Sequence, residues 1–256
     1  MDLEAIATSA ENSKIRAEIW GDFVGWSSRR RGEDGFLVCE LRKFGCRKIL
    51  DVALGDGADA IFLIKEGFDV GANEADFAFR EKAIENAKVA GFGIKPTHVD
   101  WSQLSNVYEH GSFDAIICMG NSLTCVDGEE NQIKSLKEFY KLLKPAGILI
   151  IDERNYQRIL DNKGAALAGT LHSSGKYLYT GTKKVHSRFL KITDSVIIIE
   201  YKHMNGKIAY YKVHPFVRGE LVGLLKKVGF NKIKQFSDYD AEFGDDADFY
   251  QYVCVK

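Results

Sequence analysis

One stretch, Leu50-Asp-Val-Ala-Leu-Gly55-Asp-Gly57-Ala-Asp-Ala60, predicts the architecture of this chain. The apolar run 48–53 that leads into it is typical of a buried strand, and helical spacing begins after its glycines. Glycines at such a junction let the backbone approach a ligand closely and present N–H groups at a helix N-terminus. We therefore expect a strand, a ligand-binding loop and a helix in direct succession.

Strands and helices are predicted to alternate beyond this loop. Two helices, near 15–26 and 34–45, precede it. Apolar runs predict further strands at 68–72, 95–99, 113–119 and 147–152, and helical periodicity predicts helices near 58–66, 76–90 and 128–143. Strands joined by helices of this length indicate a mostly parallel α/β sheet with helices on both faces.

The pattern changes after residue 160. Antiparallel strands are predicted at 177–179, 186–192, 195–203 and 207–214, with Asn205-Gly206 in the hairpin turn between the last two. A helix over 221–228 and strands near 231–237 and 248–255 close the chain. The expected fold is an α/β core with a small antiparallel insertion.

Composition and charge exclude several classes of protein. The 256 residues include 35 Lys and Arg against 36 Asp and Glu, a formal net charge of −1. Nucleic acids and anionic membranes favour a strong basic excess, so neither is expected as a partner. No apolar run reaches the roughly 20 residues of a membrane span, and the polar N-terminus does not resemble a secretory signal. Five scattered cysteines without CxxC spacing favour reduced thiols in the cytoplasm.

Two ligands fit the glycine loop. Gly55-x-Gly57-x-x-Ala60 satisfies the loose dinucleotide fingerprint G-x-G-x-x-G/A. The loop also matches the nucleoside loop of S-adenosylmethionine enzymes, in which an acid, here Asp51, ends the strand four residues before the first glycine. Carboxylates at Asp51, Asp56 and Asp59 would repel a pyrophosphate but not a sulfonium cation. The charge pattern therefore favours S-adenosylmethionine over NAD.

Acidic and aromatic residues end the next two predicted strands. Glu74 follows the second strand, where a carboxylate can accept hydrogen bonds from both hydroxyls of a ribose. Asp100 and Trp101 follow the third, where the acid can meet an adenine amino group and the indole can stack on the base. Ligands of open α/β sheets bind at the carboxyl ends of strands, so these residues predict a nucleoside site.

Four motifs together carry a resemblance: Leu50-Asp-Val-Ala-Leu-Gly-Asp-Gly57, Asp100-Trp101, Met119-Gly-Asn-Ser122 and Asp152-Glu-Arg-Asn-Tyr156. Over nearly its whole length the chain resembles the class I S-adenosylmethionine-dependent methyltransferases, specifically the glycine and glycine/sarcosine N-methyltransferases. The resemblance implies a Rossmann-like sheet with an antiparallel last strand. It also implies methyl transfer to the amino group of glycine, sarcosine or a close relative. One domain is then expected, with a helical cap (1–46), a donor-binding core (47–160), a substrate-side antiparallel insertion (161–216) and closing elements (217–256).

The resemblance implies a set of contacts to the methyl donor. These residues are Trp20, Arg29, Arg30, Asp51, Ala53, Gly55, Gly57, Glu74, Asp100, Trp101, Met119 and Ser122. Glu74 stands at the place of the acidic ribose ligand, and Arg29 or Arg30 at the place of the arginine that grips the donor's carboxylate. Alignment does not separate these two arginines. The implied cofactor is S-adenosylmethionine, with S-adenosylhomocysteine as its product and no metal.

A second set is implied on the side of the acceptor, a small-molecule amino acid. Arg154 resembles the arginine that holds the amino acid carboxylate. Gly120 and Asn121 resemble groups beside the reacting amine, and Tyr179 and Tyr201 resemble two tyrosines that surround the substrate. The residues expected to orient the amine or receive its proton, together with that arginine, form the expected catalytic group: Asn121, Arg154, Tyr179, Tyr201 and His214.

Three positions depart from the family pattern, all on the acceptor side. Cys125 stands where the family often has His, His214 where a tyrosine precedes the proline, and Phe23 where the N-terminal helix often has Tyr. These departures leave open another amino acid, an amino sugar or a carboxylic acid as the acceptor. A protein that binds S-adenosylmethionine without catalysis is a further alternative. The sequence does not decide between a monomer and a homo-oligomer.

Overall fold

The computed structural model describes residues 2–174, 184–242 and 244–256. Its α-helices are α1 (Leu3–Ala7), α2 (Ala10–Val24), α3 (Trp26–Glu33), α4 (Phe36–Lys43), α5 (Ala58–Lys65), α6 (Phe77–Val89), α7 (Glu129–Leu142), α8 (Tyr156–Asp161), α9 (Lys163–Ala168) and α10 (Glu220–Val228). Its strands are β1 (Lys48–Asp51), β2 (Asp69–Ala72), β3 (Phe113–Cys118), β4 (Leu143–Arg154), β5 (Val185–Ile192), β6 (Ile197–His203), β7 (Ile208–Val213), β8 (Lys232–Ser237) and β9 (Phe249–Val255). Short 3₁₀ helices cover Trp101–Asn106 and Ser122–Cys125. None of the helices in these ranges combines the length and the apolar character that a membrane crossing requires.

The main sheet has the strand order β2-β1-β3-β4-β9-β8. β1 pairs in parallel with β2 and β3, and β3 pairs in parallel with β4. β9 lies antiparallel between β4 and β8 and therefore opposes its neighbours. The prediction of a mostly parallel sheet with an antiparallel last strand is confirmed.

Helices cover both faces of this sheet. Successive side chains of a strand point to opposite faces, so neighbouring residues enter different apolar layers. Leu50 and Ile116 pack with α7 and α10 on one face, while Ile49 and Ile117 pack with α4 and α5 on the other. Because both faces are buried, these strands are continuous apolar runs in the sequence.

The second sheet contains β5, β6 and β7 in that order, all antiparallel. Its side chains Ile199 and Tyr201 pack against Ile19 and Phe23 of α2 in one buried cluster. At the predicted hairpin turn, the N–H of Gly206 donates to the carbonyl of His203 at 2.9 Å. The small antiparallel insertion is therefore confirmed.

Three local predictions need correction or lie outside the described residues, and two short helices come in addition. Residues 95–99 form only a single bridge, between Thr97 and Asn73, because Pro96 has no N–H with which to extend the ladder. Residues 2–46 form four helices, α1 to α4, where two were predicted. Gly25, with φ of +59°, turns the chain between α2 and α3. The helices α8 and α9 were not predicted. The predicted strand 177–179 lies outside the described residues.

A buried acid in β4 makes the stability of this fold depend on pH. Glu153 is buried, and its carboxylate accepts a hydrogen bond from the hydroxyl of Tyr252 on β9. Burial raises the pKa of Glu153 from 4.5 to about 8. Folding thus favours the protonated acid, and the stability that it contributes is full below pH 4.5 and is lost as the pH rises through 8.

We expect the melting temperature of Glu153→Gln, relative to that of the wild type, to increase by roughly 5–10 °C between pH 6 and pH 9. Glutamine keeps the size of the side chain and an acceptor for Tyr252, but it cannot ionise. Glu130→Gln, at an exposed position of α7, is the matched control. Scanning fluorimetry at several pH values measures the effect, and a difference that stays constant with pH would contradict it.

Candidate active site

The glycine loop lies between β1 and α5. Gly55 and Gly57 have φ of +54° and +86°, a region that favours glycine. A Cβ atom at Gly57 would lie 3.1 Å from the Cβ of Ala83, so the loop packs directly against α6. The loop is held by a hydrogen bond of 2.9 Å from the N–H of Gly57 to the carbonyl of Leu54. This conformation brings the N-terminus of α5 to the carboxyl end of β1.

A cavity of about 540 Å³, called here the large cavity, opens beside this loop. The expected donor residues that line it are Trp20, Arg29, Ala53, Gly55, Glu74, Asp100, Trp101, Met119 and Ser122. Arg30, Asp51 and Gly57 do not line it, but each of them contacts a residue that does. Most of the predicted donor set is therefore brought together at one place.

Two buried acids support the walls of the large cavity. Asp51 accepts a hydrogen bond from the N–H of Ala53 at 3.1 Å, and Asp152 accepts one from the N–H of Asn121 at 2.6 Å. Burial raises the pKa of Asp51 well above its ordinary range. Burial also raises the pKa of Asp152 to about 6, against the opposite effect of Arg29. One oxygen of each carboxylate has no hydrogen-bond partner among the described residues, so a cationic ligand nearby would stabilise both.

The two candidate arginines of α3 occupy different surroundings. Arg29 is 2% exposed, lines the large cavity, and lies 3.5 Å from the carboxylate of Asp59. Arg30 pairs with Glu33 at 2.5 Å and with Asp59, and it lies over the ring of Phe62. The structure therefore brings Arg29, and not Arg30, to the large cavity.

Glu74 ties the glycine loop to the start of α6. Its carboxylate accepts hydrogen bonds from the N–H of Gly55 at 2.8 Å and from the N–H of Asp76 at 2.9 Å. Burial raises the pKa of Glu74 to about 7, although both hydrogen bonds act in the opposite direction. Its position in the lining of the large cavity leaves it available to further donors such as hydroxyl groups.

Asp100 and Trp101 form another wall of the large cavity. Asp100 caps the 3₁₀ helix that follows, accepting from the N–H of Ser102 at 2.8 Å. The indole of Trp101 donates to the carbonyl of Val52 at 2.7 Å and packs edge-on against Phe139. These contacts fix the indole plane, as a stacking surface for a base requires.

A second cavity of about 60 Å³, called here the small cavity, adjoins the large one. Both are lined by Trp20, Gly120 and Tyr211. The expected acceptor residues that line the small cavity are Gly120, Asn121, Arg154 and Tyr201. The two predicted halves of the site therefore share a common wall.

Asn121 is held rigidly at the edge of the small cavity. Its amide donates to the hydroxyl of Tyr156 at 2.5 Å, and its carbonyl oxygen accepts from the N–H of Arg154 at 2.9 Å. Its backbone has φ of +63°, a left-handed conformation that asparagine adopts more readily than most residues. These bonds hold the side chain in one orientation.

Arg154 lines the small cavity with a guanidinium group. It lies at the end of β4 and is partly buried, with Phe189 and Phe249 each 5.6 Å away, measured to the ring centre. The neighbouring Tyr201 is buried, and burial raises the pKa of its hydroxyl to about 12, while the charge of Arg154 acts in the opposite direction. A planar cation in an aromatic setting suits the binding of a carboxylate.

Comparison with known proteins identifies the family. A family model described as "Methyltransferase domain" matches residues 49–147. A glycine/sarcosine N-methyltransferase of Halorhodospira halochloris is 35% identical over 238 residues, which cover 93% of this chain and 85% of that protein. The chain belongs to the glycine/sarcosine N-methyltransferase family. Another member, from Aphanothece halophytica, is 33% identical over 240 residues, which cover 93% of this chain and 87% of that protein.

The fold of a methyltransferase agrees with this membership. A crystal structure of an S-adenosylmethionine-dependent methyltransferase from Clostridium acetobutylicum matches with a TM-score of 0.71 at 16% identity. The match covers 93% of this chain and 96% of that one. The expected Rossmann-like methyltransferase fold is confirmed.

Two of the three departures from the family pattern lie at the cavities. The thiol of Cys125 lines the large cavity and donates to the hydroxyl of Tyr211 at 2.9 Å. Phe23 lines the small cavity, with its ring centre 4.3 Å from that of Tyr201. The two residues thus lie in the walls of the two adjoining cavities, one in each.

The third departure, His214, lies away from both cavities as described. The ring atom Nε2 of His214 lies 2.7 Å from a carboxylate oxygen of Glu220, and its backbone N–H donates to the carbonyl of Thr124. The geometry therefore does not support the expected role of His214 beside the amine, because the side chain is turned toward α10. Tyr179, another residue of the expected catalytic group, lies outside the described residues.

Sequence reasoning missed several residues at the cavities. Arg16, Phe79 and Tyr211 line the large cavity, and Tyr156 lines the small one. Arg16 stands one helical turn before Trp20 on the same face of α2, a spacing that the sequence shows. Tyr156 ends the motif that begins at Asp152, which is the signal that could have identified it. Tyr211 had no signal of its own, because only the packing of distant segments places it there.

Proposed function

We propose that this protein transfers a methyl group from S-adenosylmethionine to the amino group of glycine and sarcosine. The observation that carries the proposal is the guanidinium of Arg154 in a small cavity that shares Trp20, Gly120 and Tyr211 with the large one. An amino acid whose carboxylate is held by Arg154 would have its amine near that shared wall. The named activity of the two relatives supports this choice of acceptor.

The large cavity suits S-adenosylmethionine. Glu74 offers a carboxylate to the ribose, Trp101 offers its ring to the adenine, and Arg29 offers a cation to the methionine carboxylate. The acids Asp51 and Asp152 favour a positively charged ligand nearby. When bound, the donor supplies an electrophilic methyl group on a positively charged sulfur.

The small cavity suits a small acceptor. Its volume of about 60 Å³ is bounded by the rings of Tyr156, Tyr201 and Phe249. A bulkier amino acid would have to displace these packed rings, and densely packed interiors resist such displacement. Arg154 can offer a carboxylate two charge-assisted hydrogen bonds, each worth about 1.5–3 kcal/mol. With the carboxylate fixed, the position of the amine in such a small space is also fixed.

Alignment of the amine is the main catalytic task. The amine first releases a proton to solvent, and its lone pair then forms the N–C bond while the C–S bond breaks and its electron pair returns to sulfur. The positive charge passes from sulfur to nitrogen, so no strong base is needed at the moment of transfer. Correct positioning alone can lower such a barrier by roughly 7–11 kcal/mol.

We also propose a division of the chain by role. The cap 1–46 provides Trp20 and Arg29, the core 47–160 provides the donor loop and Arg154, and the insertion 161–216 provides Tyr201. The closing elements 217–256 complete the sheet. The five free thiols suit the reducing cytoplasm, where we propose that the enzyme acts.

The test is a transfer assay on the wild-type protein. Methyl-labelled S-adenosylmethionine is supplied with glycine, sarcosine, larger amino acids, an amino sugar and a simple carboxylic acid. We expect label in glycine and sarcosine. Label only in the amino sugar or the carboxylic acid would overturn the proposed acceptor. No label in any of them, from folded protein that binds S-adenosylhomocysteine, would indicate binding without catalysis.

A further inference from the structure

Arg16 is a cation of the large cavity to which no role has yet been assigned. It lies on the same face of α2 as Trp20 and Phe23, which line the small cavity. Its guanidinium carbon lies 5.1 Å from the ring centre of Phe79 and 5.0 Å from that of Tyr211. Since Tyr211 lines both cavities, this places a fixed positive charge at their junction.

Packing and hydrogen bonds hold α2 in this position. One turn before Arg16, the hydroxyl of Ser13 donates to Asp76 at the start of α6. On the exposed side of α2, Glu18 pairs with Lys207, and Asp22 pairs with Lys184 and His203. Those acids are therefore engaged away from the cavities, and Arg16 faces inward between two rings.

No carboxylate among the described residues forms an ion pair with Arg16. Its Nε atom is buried and has no hydrogen-bond partner within the described ranges. Glu74, an acid of the same cavity wall, accepts two backbone N–H groups, and the charge of Arg16 acts against the rise in its pKa that burial causes. Arg16 therefore has no ion-pair partner among the described residues, and its charge acts on Glu74 and on whatever the cavity holds.

This charge acts on the groups of the junction. Burial raises the pKa of Cys125 and of Tyr201, and the charge of Arg16 acts against that rise at both. It acts in the same sense on Tyr211, whose pKa burial also raises. An ionisable group of an acceptor bound between these side chains would experience the same field.

The remaining charged groups at the small cavity do not cancel this effect. Arg154 is a second cation there, and Asp248 is paired with Arg158 at 3.1 Å. Asp152, behind Asn121, accepts the N–H of that residue, and burial raises its pKa to about 6. The small cavity therefore has the guanidinium of Arg154 in its wall, and that of Arg16 lies against Tyr211, which lines both cavities.

We propose that the charge of Arg16 keeps the acceptor amine in its neutral form when the amine lies against the methyl donor. This inference rests on the proposed function. An amino acid in neutral water carries an ammonium group, which has no lone pair with which to attack. A fixed cation disfavours the ammonium relative to the amine and so lowers the pKa of the bound amine.

The experiment compares the pH dependence of kcat in Arg16→Gln, Arg16→Lys and the wild type, with glycine and with sarcosine. The acidic limb of kcat reports the ionisation of the enzyme–substrate complex. In Arg16→Gln we expect this limb to move to higher pH by about one unit, a loss of roughly tenfold at pH 7 that disappears near pH 10. Arg16→Lys keeps the charge and should retain most of the wild-type profile. Arg42→Gln removes an exposed arginine paired with Glu66 and is the matched control.

The outcomes separate this inference from the proposed function. A limb that stays in place in Arg16→Gln, whether kcat is unchanged or falls equally at all pH values, overturns the inference and leaves the proposed function standing. Wild-type protein that methylates neither glycine nor sarcosine overturns the proposed function, and this inference with it. Arg16→Met, which keeps an unbranched stem between the two rings, provides a second neutral variant if the glutamine variant does not fold. For Arg16→Met, too, the position of the acidic limb in the pH dependence of kcat decides the outcome.

Discussion

Replacement of Arg154 by methionine is expected to raise the KM for glycine by roughly two to four orders of magnitude. A carboxylate bound in the small cavity would lose two charge-assisted hydrogen bonds, each worth about 1.5–3 kcal/mol. Methionine can keep the apolar contacts with Phe189 and Phe249 but carries no charge. Steady-state kinetics at saturating S-adenosylmethionine, with glycine and with sarcosine, measure the effect.

Two controls make this result specific. Arg218→Met removes an exposed arginine, paired with Asp245, and should leave KM within about twofold of the wild type because surface ion pairs contribute little. Arg154 does not line the large cavity, so the affinity for S-adenosylhomocysteine should also change little. An unchanged KM for the preferred acceptor would mean that this acceptor has no carboxylate, which would favour the amino sugar alternative.

Much of the fold follows from local sequence pattern. The first strand, the glycine loop and α5 were predicted almost to the residue, because a buried strand and an amphipathic helix have different periodicities. The break at Gly25 was missed because helical spacing of apolar residues continues across it. The short helices α8 and α9 were missed because six-residue helices depend on packing rather than on periodicity.

Some residues of the candidate site could likewise be predicted from local pattern, whereas others depend on the packing of distant segments. Glu74 lines the large cavity because it follows the end of β2 at the carboxyl edge of the sheet. Trp101 lines it although the segment before it forms only the single bridge at Thr97 and no strand. Arg29 and Arg30 were not separated because neighbouring residues of a helix point about 100° apart, and only the packing of α3 decides which one faces the cavity. The structure gives no support for His214 beside the amine, because its side chain meets Glu220 of α10, a contact that no local pattern reveals.

Replacement of Glu74 by glutamine is expected to weaken binding of S-adenosylhomocysteine by roughly two orders of magnitude. The carboxylate already accepts the N–H groups of Gly55 and Asp76, and the ionised form has further lone pairs for the ribose hydroxyls. An amide has only one acceptor oxygen, so its NH₂ group would face either a backbone N–H or a ribose hydroxyl. Titration calorimetry measures the dissociation constant. Glu81→Gln, at an exposed position of α6, is the matched control.

The same carboxylate predicts how donor-side binding depends on pH. Burial raises the pKa of Glu74 to about 7 in the free protein. Ribose hydroxyls donate to the ionised form, so proton binding competes with ligand binding. The affinity for S-adenosylhomocysteine should be full above pH 8 and fall by up to about tenfold for each pH unit below 7, whereas Glu74→Gln should lack this slope. Equal slopes in both proteins would assign the titration to Asp56 or Asp152, each with a pKa of about 6, and would remove Glu74 from the ribose site.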